Sequence, residues 1–135
     1  MRIAFGTDER TALTDAITRA LADEGHEVVV VGDGRPWAEV GDAVGQAVSR
    51  GDAERGVVCC WTGTGVSMAA NKVAGVRAAL CTDAETARGA RRWNDANVLA
   101  MGLRLTSLDV AKEMLAAFLT TEADESERAQ VDRLG

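Results

Sequence analysis

The stretch 59-CCWTGTGVSMAANK-72 gathers the residue types from which proton-transfer chemistry is built. Two thiols, Cys59 and Cys60, end an apolar run. Thr62, Gly63, Thr64, Gly65, Val66 and Ser67 follow, small residues with free backbone amides that lead into a helical pattern. Successive N–H groups in a glycine turn can converge on one oxygen, and a helix N-terminus behind them adds partial positive charge. Such a cradle suits a phosphate or an enediolate oxyanion. Period-2 alternation puts Cys59 and Cys60 on opposite faces of a sheet, so at most one faces a cleft, and Cys60 is nearer the turn. The plain alternative is two small buried apolar residues at a strand end. A dinucleotide site is disfavoured, because G-T-G-V-S-M lacks the third glycine of that fingerprint.

Other polar residues fall where a parallel sheet would place a ligand, just after the predicted strands. These are Thr7-Asp8-Glu9-Arg10, Gly32-Asp33-Gly34, Thr82-Asp83 and Gly102-Leu103-Arg104. His26, the only histidine, precedes the second strand at the wrong end for a site, and Cys81 reads as core. Arg88, Arg91 and Arg92 read as a solvated helix face, and Asp95 to Asn97 as a turn.

The elements that must position these residues follow from periodicity. Strands are predicted at 2–6, 27–32, 56–61, 76–81 and 97–101. Leu13, Ala16, Ile17, Ala20 and Leu21, and then Val40, Ala43, Val44, Ala47 and Val48, recur at helical spacing. Shorter helices are expected at 64–73 and 84–92, and a last one through Leu108, Ala111, Leu115 and Phe118, capped by Thr106 or Ser107. Five βα units with short connections make an α/β fold, a three-layer α/β/α sandwich around a Rossmann-like five-stranded parallel sheet. The 135 residues suit one domain, here 1–120, followed by a polar tail at 121–135 that either docks on a partner subunit or frays.

Composition narrows the function classes. A net charge of −6 disfavours nucleic acid, which requires concentrated Lys and Arg. Three cysteines without a C-x-x-C pair, and one histidine, suggest neither a disulfide framework nor a metal site. The absence of a long apolar segment or a cleavable leader pattern leads us to expect a cytoplasmic protein with no membrane partner.

The pattern G-V-V-C-C-W-T-G-T-G-V-S-M-A-A-N-K-V-A-G-V-R-A-A-L-C, followed by T-A-R-x-A-R-R-W-N-D-A-N-V-L-A-M-G-L-R, resembles the ribose-5-phosphate isomerase B family, which includes the galactose-6-phosphate isomerase subunits. The resemblance runs from Met1 to about Leu119. It implies an aldose–ketose isomerase without metal or cofactor, acting through a cis-enediol on a sugar or sugar phosphate. It also implies a homodimer, or a pair of dimers, with sites between subunits. By position, Cys60 corresponds to the base, Thr62 to its polar neighbour and the amides of Gly63 to Ser67 to the anion hole. Asp8 matches the aspartate after the first strand, Asn94 a substrate-contacting asparagine and Arg104 a phosphate-side arginine.

The departures from the family fall at the site. Glu9 stands where a phosphate-contacting histidine is usual, and a carboxylate there repels a phosphate unless Arg10 turns inward. Trp93 replaces the histidine assigned to ring opening, and indole is no acid–base catalyst near neutrality. Trp61 replaces a glycine beside the base, so Trp61 and Trp93 either form an aromatic wall or simply pack. The loop Gly32 to Trp37 is short, and of the tail arginines Arg128 or Arg133 is available for an anion. The readings left open are an isomerase and a non-catalytic binder of an anionic ligand on the same scaffold.

Overall fold

The computed structural model describes all residues, Met1–Gly135. The strands are β1 (Arg2–Thr7), β2 (Glu27–Val30), β3 (Arg55–Cys60), β4 (Ala78–Leu80) and β5 (Val98–Gly102). They alternate with α1 (Ala12–Asp23), α2 (Trp37–Ser49), α3 (Thr64–Asn71), α4 (Ala84–Asn94) and α5 (Leu108–Thr120). The sheet is parallel throughout, in the order β2-β1-β3-β5-β4. Chain direction across the sheet reverses between β1 and β3, so their carboxyl ends flank the crevice where open α/β sheets bind ligands.

Alternation along the strands builds two cores. Ile3, Phe5, Val57, Leu99 and Met101 face α1, α4 and α5, where Ile17, Met114 and Phe118 meet them. Ala4, Val58, Val98 and Ala100 face α2 and α3, against Val40, Val44, Val66 and Ala70. The adjacent cysteines divide the same way, Cys59 into the first core and Cys60 into the second, as the period of two requires.

Helix starts follow local chemistry. Thr11 and Thr14 form a reciprocal capping box at α1, the Asp83 carboxylate accepts from the Thr86 amide at α4, and Ser107, rather than Thr106, caps α5. α2 packs very closely on α3. A Cβ at Gly41 would stand 2.5 Å from the Cβ of Ala69, and one at Gly45 would stand 2.8 Å from a methyl of Val73.

Several boundaries differ from expectation. β2 stops at Val30 and β4 covers only 78–80, because Val76 closes a turn onto the Val73 carbonyl. β3 ends at Cys60, where Trp61 swings out to solvent. α4 continues to Asn94 and stops at Asp95, whose backbone is left-handed (φ 49°).

The polar tail folds back on its own chain as a 3-10 turn (Glu125–Glu127) and α6 (Arg128–Asp132), with Val131 buried. Its anchor is Asp95. The Asp95 carboxylate accepts from Arg91 at 2.8 Å, Arg128 at 3.0 Å and Arg77 at 3.3 Å. Arg91 is not part of a solvated face. It is 4% exposed and also donates to the carbonyls of Ala96 and Thr121.

Candidate active site

Cys60 is the last residue of β3 and is 5% exposed, at the foot of the turn that opens α3. Gly63 caps α3 with a left-handed backbone (φ 78°), and no side chain caps the helix. The first amides of an α-helix have no partner within the helix, and α3 has no acidic residue in its first turn to occupy them. That leaves a cluster of donors with partial positive charge beside Cys60, suited to an oxyanion. Thr62 and Thr64 share a hydrogen bond of 2.8 Å between hydroxyls, so this rim is polar and exposed.

The turn is held from the side by the chain leaving β5. Leu103 donates its amide to the Cys60 carbonyl at 2.9 Å and Arg104 to that of Trp61 at 3.0 Å. The approach is close because position 102 is glycine: a Cβ there would stand 2.7 Å from the Thr62 carbonyl oxygen. This brings Arg104 beside the cradle with its guanidinium in no ion pair within the chain.

Asp8 enters from β1. Its amide donates to the Cys59 carbonyl at 3.3 Å, and its Oδ1 is enclosed without a hydrogen-bond partner. Burial, and then the charge of Glu9, hold its carboxyl above the usual carboxylate value. Burial, with the neighbouring Cys60 and Asp8, pushes the Cys59 thiol far up, and burial with Asp83 pushes Cys81 up to about 11. Neither is a usable base. No three His, Cys, Asp or Glu side chains converge as metal ligands would.

Glu9 is exposed, and its carbonyl accepts from the Thr7 hydroxyl at 2.7 Å. Arg10 does not turn inward to offset it. Arg10 reaches Asp15 at 3.2 Å and Asp33 at 3.8 Å, on the flank of α1.

The remaining sequence candidates lie elsewhere. Trp93 and Asn94 end α4, whose 11 residues run back from the carboxyl edge for about 16 Å at ~1.5 Å per residue. Trp93 rests on Gly89, and Trp93 and Asn94 line an exposed groove with Leu80, whose Cδ1 would stand 2.6 Å from a Cβ at Gly63. Arg128 is committed to Asp95 near the amino end of the sheet. One neighbour of the cradle was not among the sequence candidates: Trp37, the first residue of α2, lies against Gly65. The Pro36-Trp37 helix start, with glycines four and eight residues on, was the available signal.

Known proteins resemble this chain along nearly its whole length. The family model described as Ribose/Galactose Isomerase matches residues 3–134. Ribose-5-phosphate isomerase B of Escherichia coli (strain K12) is 37% identical over 123 residues, covering 87% of this chain and 83% of that protein. D-erythrulose-4-phosphate isomerase of Pectobacterium atrosepticum is 34% identical, covering 100% and 93%. The solved ribose-5-phosphate isomerase B of Clostridium thermocellum superimposes with a TM-score of 0.95 at 37% identity, covering 100% of this chain and 95% of that one. With nearly its whole length matched by the family model and by relatives at 34–37% identity, the chain belongs to the ribose/galactose isomerase family.

Proposed function

We propose that this sugar-phosphate isomerase interconverts an aldose and a ketose through a cis-enediol, with Cys60 as the base. The observation that carries the reading is the placement of Cys60 at the foot of the uncapped α3 N-terminus, with Asp8 clipped by its amide to the adjoining Cys59. The Cys60 thiolate takes the proton from C2 of an aldose. The electron pair moves into the C1–C2 bond and the carbonyl pair moves onto O1, where the turn amides stabilise it. A hydroxyl proton then passes from O2 to O1, with Asp8 as the relay, and the Cys60 thiol returns its proton to C1. No net proton is gained or lost.

Two features bear on the substrate. Relatives act, by name, on ribose 5-phosphate and on D-erythrulose 4-phosphate, so the scaffold serves both five- and four-carbon sugars. Because Arg10 is held by Asp15 and Asp33, Glu9 remains uncompensated and an anionic substrate end is better placed toward the free Arg104. Asn94 and Trp93 face outward beside the exposed Leu80, while Trp61, Met68 and Leu105 are exposed nearer the cradle. A second copy packed on these surfaces would bring its Asn94 to this cradle, which fits a homodimeric enzyme.

The test is NMR of substrate C–H exchange in deuterated water, with ribose 5-phosphate, erythrulose 4-phosphate and free ribose, comparing wild type with Cys60→Ala. Exchange that vanishes in the variant while sugar binding persists is the expected result. Tight binding with no exchange in wild type would overturn it and leave a binding protein.

A further inference from the structure

The geometry points to Trp37 as a substrate-contacting wall of the cradle, a role that rests on the isomerase reading above and extends it to a residue that fixes how the sugar chain lies. Gly65 is where the case begins. A Cβ at position 65 would stand 2.8 Å from both Cδ2 and Cε3 of the Trp37 indole. Gly65 lies in the first turn of α3 with no left-handed backbone, unlike Gly63, so conformation does not demand a glycine there. Glycine is unfavourable in a helix, and here its bare Cα is what admits the indole.

α2 is built to bring the indole to this place. Trp37, Gly41 and Gly45 recur at intervals of four, one stripe along the helix. A Cβ at Gly41 would stand 2.7 Å from the Val66 carbonyl oxygen and 2.9 Å from the Ala70 nitrogen, so the two glycines draw the helices together one and two turns beyond the indole. Trp37 is nevertheless 48% exposed. The indole packs against Gly65 in the first turn of α3, and about half of the residue stays open to solvent.

An enediolate whose oxygen sits on the first-turn amides has its carbon chain alongside this open part of the indole. The C–H face of a sugar packs favourably on an aromatic ring, and excluding water there strengthens the hydrogen bonds to the oxyanion. Trp37 therefore holds the substrate without taking part in proton transfer, so its loss weakens binding more than turnover.

The experiment measures kcat and KM for erythrulose 4-phosphate and ribose 5-phosphate in wild type, Trp37→Phe, Trp37→Ala, Gly65→Ala and the Trp37→Ala/Gly65→Ala double variant, with thermal unfolding of each. Trp37→Ala is expected to raise KM by about tenfold with kcat within about threefold, and Trp37→Phe to recover most of that loss. Gly65→Ala, which pushes the indole off its seat, is expected to raise KM comparably, yet to add nothing in the Trp37→Ala background. An unchanged KM in Trp37→Ala, or additive effects in the double variant, overturns the assignment. If wild type turns over neither sugar, calorimetric titration of both sugars decides separately: binding at least tenfold weaker in Trp37→Ala upholds the wall, whereas equal binding or none refutes it.

Discussion

The amide of Asp8 donates to the carbonyl of Cys59, one residue before Cys60 at the foot of the α3 turn. The acid arriving from β1 and the thiol arriving from β3 are thus held in one register by a bond that continues the sheet past its last paired residues. Sheet formation itself assembles the candidate machinery.

Asp8 should limit stability while supporting function. Its carboxyl is held above its ordinary value, first by burial and then by Glu9, so the folded chain binds this proton more tightly than the unfolded chain does. Stability therefore falls as pH rises from the unfolded value of about 3.9 through the raised one. Asp8→Asn should show a higher urea midpoint at pH 7 than wild type, a shallower decline of stability above pH 4, and loss of aldose–ketose interconversion. A lower midpoint at pH 7 would refute it.

Gly63 has no substitute. Alanine there meets a left-handed backbone, which costs about 1–2 kcal/mol, and its Cβ would stand 2.8 and 2.9 Å from backbone atoms of Met101 and Gly102. Gly63→Ala is expected to lose about 2–4 kcal/mol, seen as a Tm roughly 10 °C lower, together with weakened sugar binding. A fall of under about 2 °C would show that the turn relaxes freely.

The three thiols should separate by reactivity. Cys59 is fully buried with its thiol pushed far up, and Cys81 is buried with its thiol at about 11. Limited iodoacetamide treatment at pH 8, followed by peptide mass spectrometry, should modify Cys60 at least tenfold faster than either. Bound sugar phosphate should slow that reaction. Earlier labelling of Cys81 would contradict the placement.

Asp95 should be the residue on which the tail depends. Burial works against its charge, but hydrogen bonds from Arg128 and Arg91 and the charge of Arg77 outweigh it and hold the carboxyl below its usual value. That contribution is present above the unfolded value near 3.9 and disappears as pH falls through the lowered one. Asp95→Ala leaves buried Arg91 without its carboxylate and is expected to cost about 3 kcal/mol in urea unfolding. Asp95→Asn should cost less, since asparagine tolerates the left-handed backbone and still accepts a hydrogen bond. Equal losses in both would argue against this order.

The layers and the turn were legible in the sequence because they rest on local pattern. Alternation alone separated Cys59 from Cys60, and the run from Thr62 to Ser67 announced an uncapped helix start. What escaped depends on partners far apart in the chain. Arg128 looked free for an anion because Asp95 lies 33 residues away from it. Arg91 looked solvated because its type outweighed its position, although it follows Ala87 by one helical turn and so lies on the apolar face of α4. Trp37 went unassigned because its seat on Gly65 exists only once α2 and α3 cross.

The close crossing of α2 and α3 also shapes how this enzyme could be altered by random mutation. A side chain added at Gly41 collides with α3, whose first turn carries the cradle, and one added at Gly45 collides with Val73 just beyond the end of α3. A library screened for lost turnover should therefore return these two positions beside the cradle residues, although neither is near a reacting atom. Redesign of the substrate range would then begin by leaving both glycines untouched.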